Sequence, residues 1–325
     1  MIRQVQGVPR PIRCAAVTLA LVTSAVASGC GGELADRRPQ ADEAPWTLAV
    51  ADLVFMSDRD GNAEIYLLAA GDTAWVNLTN HPAGDNWPAW SPDGERIAFH
   101  STRTGNLDIW VMNADGSNAR RLTHDPAHDY LPEWSPDGTR LTFASWRTEP
   151  GDTAEQVHLY TMNADGTDQR RLFPWSPKTS TGAVWAPDGR SFAVTRRRGE
   201  GTSDILIVEA DGTILRRVTD DDLYNGSPAF SPDGTRLAFY ASRADTSRIV
   251  VSGSDGTERQ VVVGEGQNWY PRWSPDGRWL VFTAAPTVGV EDDLDVLAVP
   301  AEGGDPITLV GGPGRETEGR WRPFQ

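Results

Sequence analysis

Trp90-Ser91-Pro92-Asp93-Gly94, running on into Arg96-Ile97-Ala98-Phe99-His100, is the stretch that decides the fold. Proline suits the second position of a type I turn, aspartate tolerates the third, and glycine closes the turn without steric cost. The pentapeptide therefore reads as a tight hairpin between a strand A, Pro88-Ala89-Trp90, and a strand B, Arg96 to His100. Downstream, Asp108-Ile109-Trp110-Val111-Met112 reads as strand C. Ala114-Asp115-Gly116 then turns the chain into strand D, Arg121-Leu122-Thr123. Short apolar alternation and aromatic enrichment favour strands over helices throughout.

The phrase returns at Trp134, Trp185, Phe230 and Trp273, with Ala186 in place of serine in the third copy, and a truncated copy begins at Trp321. The steps between these aromatics are 44, 51, 45, 43 and 48 residues, and a strand-rich period of roughly 40–50 residues is that of a propeller blade. The expected fold is all-β: a six-bladed β-propeller of four-stranded blades. Leu53-Val54-Phe55, Glu64-Ile65-Tyr66-Leu67 and Val76-Asn77-Leu78-Thr79 supply strands B, C and D with no turn phrase ahead of them. Arg320-Trp321-Arg322-Pro323 matches Arg272-Trp273-Ser274-Pro275 and then stops. The C-terminal segment is thus expected to lend strand A to the first set and close the ring. The alternative is Trp46, nine residues before Phe55 but with no turn after it.

Taken together, Trp-Ser-Pro-Asp-Gly, an apolar pair with Phe, Ser-x-Arg, Asp-Ile-Tyr/Trp, Asn-Ala-Asp-Gly and Arg-Arg-Leu-Thr resemble the WD40-like repeats of the TolB-type propeller over residues 53–323. The resemblance implies a fold far more than a function, because one fold hosts many activities. TolB itself carries an α/β domain ahead of its propeller and belongs to the Tol–Pal envelope system. Here about twenty residues separate the targeting segment from the first strand, so an exported lipoprotein form lacking that domain is expected. No TolB partner contact carries over to a numbered residue.

Arg3, Arg10 and Arg13 form a positive n-region, Cys14 to Ala27 an apolar stretch too short to span a membrane comfortably, and Ala27-Ser28-Gly29-Cys30 resembles a lipobox. The expected organisation is a signal peptide at 1–29, a lipidated Cys30 with a polar linker at 30–52, and a propeller at 53–325. Because Ala27 stands where lipoprotein signals prefer leucine, plain cleavage near the same point is the alternative. Cys14 leaves with the signal, so no disulfide framework remains to hold the fold.

The formal charge is −15 and becomes about −18 once residues 1–29, with three arginines and no acid, are removed. That argues against nucleic acid or anionic lipid surfaces as partners and suits basic or neutral partners and cations. The expectation is an exported monomer in the periplasm or at the cell surface, held by a lipid anchor. Its partner is expected to be an envelope protein, a peptide or a glycan.

In four-stranded antiparallel blades the A–B and C–D turns share one face, and the D–A and B–C connections share the other. Length variation falls on the second face, notably after Arg147 and after Thr283, and binding residues concentrate on variable loops. Five residues before each repeat aromatic, where strand A begins, stand Asp85, Asp129, Ser180, Asn225, Asn268 and Glu316. Such a ring of side-chain oxygens at a channel mouth could grip a polar ligand, a partner terminus or Ca²⁺, which takes six to eight oxygen ligands. The plain alternative is local turn bonding, which these residue types favour at loop-to-strand junctions. Trp87, Tyr130, Trp175, Tyr224, Trp269 and Tyr270 lie in or beside the same loops. Trp87, Tyr130 and Trp269 are the candidate binding anchors, the others reading as packing.

The chain lacks a Gly-x-Ser-x-Gly elbow, a His-Glu-x-x-His motif and a phosphate-cradling glycine loop. His81, His124 and His128 are the only hint of an enzyme, a metal-dependent hydrolase or lyase acting on glycan or peptide. His124 and His128 sit four apart, a spacing that serves chemistry only on a helix, which Pro126 opposes, and His81 occupies a similar loop one blade earlier. No catalytic residue is assigned, and a binding module is the expected function. Arg59, Arg103, Arg147 and Arg243 end strand B, while Glu64, Asp108, Asp204 and Asp295 begin strand C. They are expected to pair across that hairpin as scaffold, and the aspartates of the turn phrase are structural as well.

Overall fold

The structure is a computed structural model and describes residues 51–148, 157–178, 182–285, 293–312 and 314–324. Among the described residues every regular element is a strand. The turn phrase folds as its chemistry dictates. Ser91 Oγ accepts the Arg96 N–H at 2.9 Å and bonds the Asp93 carboxylate, Asp93 Oδ1 accepts the Glu95 N–H at 3.0 Å, and Gly94 closes the turn at φ 63°. Ser135, Ser231 and Ser274 repeat the bond to their aspartates.

The first sheet combines β1 (Leu53–Ser57), β2 (Glu64–Leu68) and β3 (Trp75–Asn77) with the last strand of the chain. The second holds β4 (Asp85–Trp90), β5 (Arg96–Ser101), β6 (Asp108–Asn113) and β7 (Arg120–Arg121), and the third β8 (Asp129–Trp134), β9 (Arg140–Ser145), β10 (His158–Asn163) and β11 (Arg170–Arg171). Next come β12 (Val184–Trp185), β13 (Ser191–Gly199), β14 (Thr202–Glu209) and β15 (Ile214–Arg217), then β16 (Tyr224–Phe230), β17 (Arg236–Arg243), β18 (Thr246–Gly253) and β19 (Gln260–Gly266). The chain ends with β20 (Asn268–Trp273), β21 (Trp279–Ala284), β22 (Asp295–Pro300), β23 (Ile307–Val310) and β24 (Glu316–Trp321). Strand D is shorter than its sequence suggests in β7 and β11, because these outermost strands have one partner only and fray into the following loop. Even so, Leu122 N–H still reaches the Ile109 carbonyl at 2.7 Å.

The seam closes as expected: β24 pairs antiparallel with β1, Leu53 opposite Trp321 and Ser57 opposite Glu316. The innermost strands then follow one another around a channel, β24 beside β4, β4 beside β8, β8 beside β12, β12 beside β16, β16 beside β20, and β20 beside β24. Strand B supplies the core through Phe55, Phe99, Phe143, Phe239 and Phe282, each no more than 1 % exposed, and burying such a side chain contributes about 1.5–3 kcal/mol. The repeat tryptophans stitch neighbouring sheets: Trp90, Trp134 and Trp273 donate Nε1–H to the carbonyls of Arg320, Ala89 and Ala229 at 3.0–3.2 Å. Arg96 and Arg236 lie over the rings of Trp134 and Trp273, a cation–π contact.

The expectation of six separate blades, one per repeat, is corrected by the hydrogen bonding. Four sheets are discrete four-stranded blades, whereas β12 to β19 form a single eight-stranded sheet. The join is local to the β13–β14 hairpin, since β17 and β18 run to eight residues each, much as β13 and β14 run to nine and eight, without joining the next sheet. Ser203 there meets Tyr224 in a parallel bridge, its N–H reaches the Leu223 carbonyl at 3.1 Å, and its Oγ both donates to the Asn225 carbonyl and accepts the Asn225 N–H. The count of one separate WD40-like blade per repeat therefore does not hold for this protein.

Candidate functional site

The described junction residues Asp85, Asp129, Asn268 and Glu316 begin innermost strands, Asn225 is the second residue of β16, and all five are at most 7 % exposed. Ser180 and Cys30 lie outside the described residues. Their side chains are held within the sheets. Arg103 bonds Asp85 at 2.7 Å, Arg147 bonds Asp129 at 2.6 Å and Arg59 bonds Glu316 at 2.7 Å. Asn225 Nδ2–H reaches the Ser203 carbonyl and the Asp221 carboxylate, and Asn268 Nδ2–H the Ser247 and Gly264 carbonyls.

The strand-B arginines thus reach strand A, not strand C as the sequence suggests. Ser101 stands opposite Asp108 and Ser57 opposite Glu64 in the B–C register, so Arg103 and Arg59, two residues on, lie beyond the hairpin and fold back over the strand on the other side. Two of the strand-C acids take strand-D partners, Asp108 with Arg121 and Asp204 with Arg217, and Arg198 at the end of strand B also stands 3.6 Å from Asp204. Where the junction residue is the neutral Asn225, the corresponding Arg243 is exposed.

The channel is lined from positions two and four residues further along. Trp87, Leu131, Ser227, Tyr270 and Glu318 each adopt a left-handed φ of 48–63°, uncommon for residues other than glycine. At each of these places the strand register slips by a bulge, and a bulge re-aims the side chain. On the loop face this builds an aromatic chamber of about 120 Å³ lined by Trp87, Tyr224, Tyr240 and Tyr270. Trp87 meets Tyr270 edge-on at 4.8 Å, Tyr240 meets Tyr270 at 6.2 Å, and Tyr224 stacks on Tyr240 at 5.9 Å. Gly226 is needed there, since a Cβ would lie 2.6 Å from the Tyr240 ring. Burial raises the Tyr224 and Tyr240 phenols and pushes Tyr270 up to about 12, so all three stay protonated near neutral pH.

The position before each repeat aromatic reads Ala89, Glu133, Val184, Ala229, Arg272 and Arg320. Three charges at an otherwise small, apolar position are a departure that the sequence reading passed over. In the structure they meet. Arg320 donates Nη1–H and Nη2–H to the two Glu133 oxygens at 2.7 Å each, and Arg272 Nη2–H reaches Glu133 Oε1 at 3.3 Å. Because β8 and β20 face each other around the ring, this cluster bridges the channel and divides the chamber from a wider funnel of about 470 Å³ on the turn face. Burial raises the Glu133 carboxyl, but the Arg320 and Arg272 guanidinia more than offset it and hold it below its usual range. Beside them Glu318 accepts the Trp87 N–H at 2.8 Å, and burial, only partly offset by that bond and by Arg320, lifts its carboxyl to about 7.

Of the other candidate anchors, Tyr130 accepts the Trp146 Nε1–H at 3.0 Å and Trp269 is half-buried. Trp175 stacks on Phe173 and donates to the Gly212 carbonyl. His81 and His128 each commit Nδ1 to a loop N–H, of Ala83 and Leu107, while His124 is exposed. Among the described residues no group of three or more His, Cys, Asp or Glu is placed to hold a metal ion.

Comparison with known proteins completes the site. An uncharacterised protein of Agrobacterium fabrum is 30% identical over 173 residues, 51% of this chain and 58% of that protein. A TolB homologue of Chlorobium luteolum is 29% identical over 201 residues, 62% of this chain and 34% of its own length. The chain thus spans less than two thirds of either relative. TolB from Acinetobacter baumannii superposes with a TM-score of 0.72 at 19% identity, over 84% of this chain and 67% of that one, a likeness of fold. The TolB beta propeller domain profile matches residues 40–145, 84–220 and 126–284. With the turn phrase, the closing strand and the channel in place, the chain belongs to the TolB β-propeller domain family.

Proposed function

We propose that this protein is a non-enzymatic binding and scaffolding module of the bacterial cell envelope, exported to the periplasm or cell surface, that engages a protein, peptide or glycan on its loop face. The supporting observation is the aromatic chamber, in which left-handed bulges on the innermost strands aim Trp87 and Tyr270 at one another across the channel. Rigid, half-buried Trp and Tyr side chains are the groups that anchor partners at low entropic cost. Tyr130 and Trp269 extend that surface outward from the mouth. Family membership and the relationship to a TolB homologue support an envelope location, and lipidation at Cys30 would supply the anchor. Asp85, Asp129 and Glu316 act in this reading as supports beneath the aromatic mouth, since their carboxylates are engaged by arginines.

Affinity capture from detergent-solubilised envelope tests it, comparing the full chain, a Trp87→Ala/Tyr130→Ala/Trp269→Ala variant and a turn-face Glu95→Ala/Arg278→Ala variant. The expected result is a partner lost with the first variant only, at least tenfold by quantitative mass spectrometry. Equal recovery by all three sinks the loop-face assignment.

A further inference from the structure

We propose that the turn-face funnel is a second binding site, built to take the free carboxyl terminus of a peptide that ends in an apolar residue. Its volume of about 470 Å³ falls in the range of small-ligand sites. Its rim is a circle of prolines from successive turn phrases, Pro92, Pro136, Pro187, Pro232, Pro275 and Pro323. Proline has no backbone N–H, so the rim presents apolar surface and no edge for strand pairing. Inside the prolines lie the edges of the repeat tryptophans, and the floor is the Glu133, Arg272 and Arg320 cluster.

That floor sets the ligand chemistry. Two guanidinium groups share the Glu133 carboxylate, and Glu318 beside them keeps its proton up to about pH 7, so below that pH one positive charge is in excess at the bottom of an apolar well. Arg320 spends both Nη groups on Glu133, whereas Arg272 gives one to Glu133 and turns the other onto the Pro271 carbonyl next to it in sequence. Burial, with Arg320 adding to it and Glu133 and Glu318 only partly offsetting it, pushes Arg272 down to about 10. A carboxylate is the anion whose planar geometry matches a guanidinium. The funnel opens outward past the prolines, so a chain whose terminus sits on Arg272 has a path to solvent. The cluster blocks passage to the aromatic chamber, which makes this site separate from the loop face.

Isothermal titration of the full chain tests the proposal with three probes: the tripeptide Ala-Ala-Phe, its C-terminal amide, and 3-phenylpropanoate. The expected result is that the free-acid tripeptide binds at least tenfold more tightly than either of the others, and that Arg272→Gln abolishes its preference over the amide. Val184→Phe narrows the funnel floor while leaving all three charges in place; it is expected to weaken the tripeptide at least tenfold, and it decides the matter if Arg272→Gln does not fold. Equal binding of acid and amide, no binding of either, or wild-type affinity in Val184→Phe overturns the proposal. Phenylpropanoate binding as tightly as the tripeptide overturns the peptide part of it, leaving a site for free apolar acids.

Discussion

The innermost strands carry two sets of buried carboxylates that behave differently. Asp85, Asp129 and Glu316 recur at the same place in successive repeats, and each is matched by an arginine of the adjacent strand in its own blade. Glu133 breaks the repeat, and its partners Arg272 and Arg320 stand 139 and 187 residues away in sequence, on strands reached only across the channel. Repetition marks what every blade needs in order to hold its first strand. Departure from it marks what the ring does once, at its centre, where the strands of different blades converge.

The sharpest way to break this contrast is Glu133→Ala. It leaves two buried guanidinia with only Glu318, protonated up to about pH 7, beside them, and removing one partner of a buried ion pair costs about 3–5 kcal/mol. Urea unfolding should show that loss, and a double-mutant cycle with Arg320→Ala should give a coupling of at least about 1 kcal/mol. A zero coupling would mean the bridge does not form. Asp85→Ala should cost less, about 3 kcal/mol, because it strands one guanidinium where Glu133→Ala strands two, and Arg103 still lies over the Phe99 and Trp110 rings. Combining it with Asp129→Ala should give a simple sum within about 0.5 kcal/mol. A non-additive result would show that the repeated pairs communicate, contrary to a blade-by-blade scaffold.

The smallest expected effect tests the centre by pH. Glu318 carries its proton up to about pH 7 in the folded state, against a usual value of 4.5. Between those values the folded protein binds more protons than the unfolded chain, so this group's contribution to stability falls as pH rises. The shift corresponds to about 3 kcal/mol. With about 1 kcal/mol deducted at every pH for seating an amide in place of the carboxyl, Glu318→Gln should be more stable than wild type by about 2 kcal/mol at pH 8 and less stable by about 1 kcal/mol at pH 4. Melting curves that differ equally at both pH values would rule out a buried, titrating Glu318.

The turn phrase could be read from the chain because its bonds are local. Ser91, Asp93 and Arg96 are neighbours, and the phrase carries its conformation wherever it occurs. Strand B, the buried phenylalanines and the closing strand at Trp321 follow from alternation and repeat counting, and the structure places them so. The junction residues were located at the right strand ends, yet the direction of their side chains depends on register, which carried Arg103 to Asp85 in place of Asp108.

Sequence by itself therefore determined the repeat, the turns, the strand content and the closure of the ring, all properties of contacts within a hairpin or between equivalent repeats. Tertiary structure alone decided the fusion of β14 to β16 through Ser203, the bulges that aim Trp87 and Tyr270 inward, and the bridge from Glu133 to Arg272 and Arg320. Each of these depends on how far one blade extends or twists toward another, and a pattern that repeats along the chain holds no record of which copies meet at the axis.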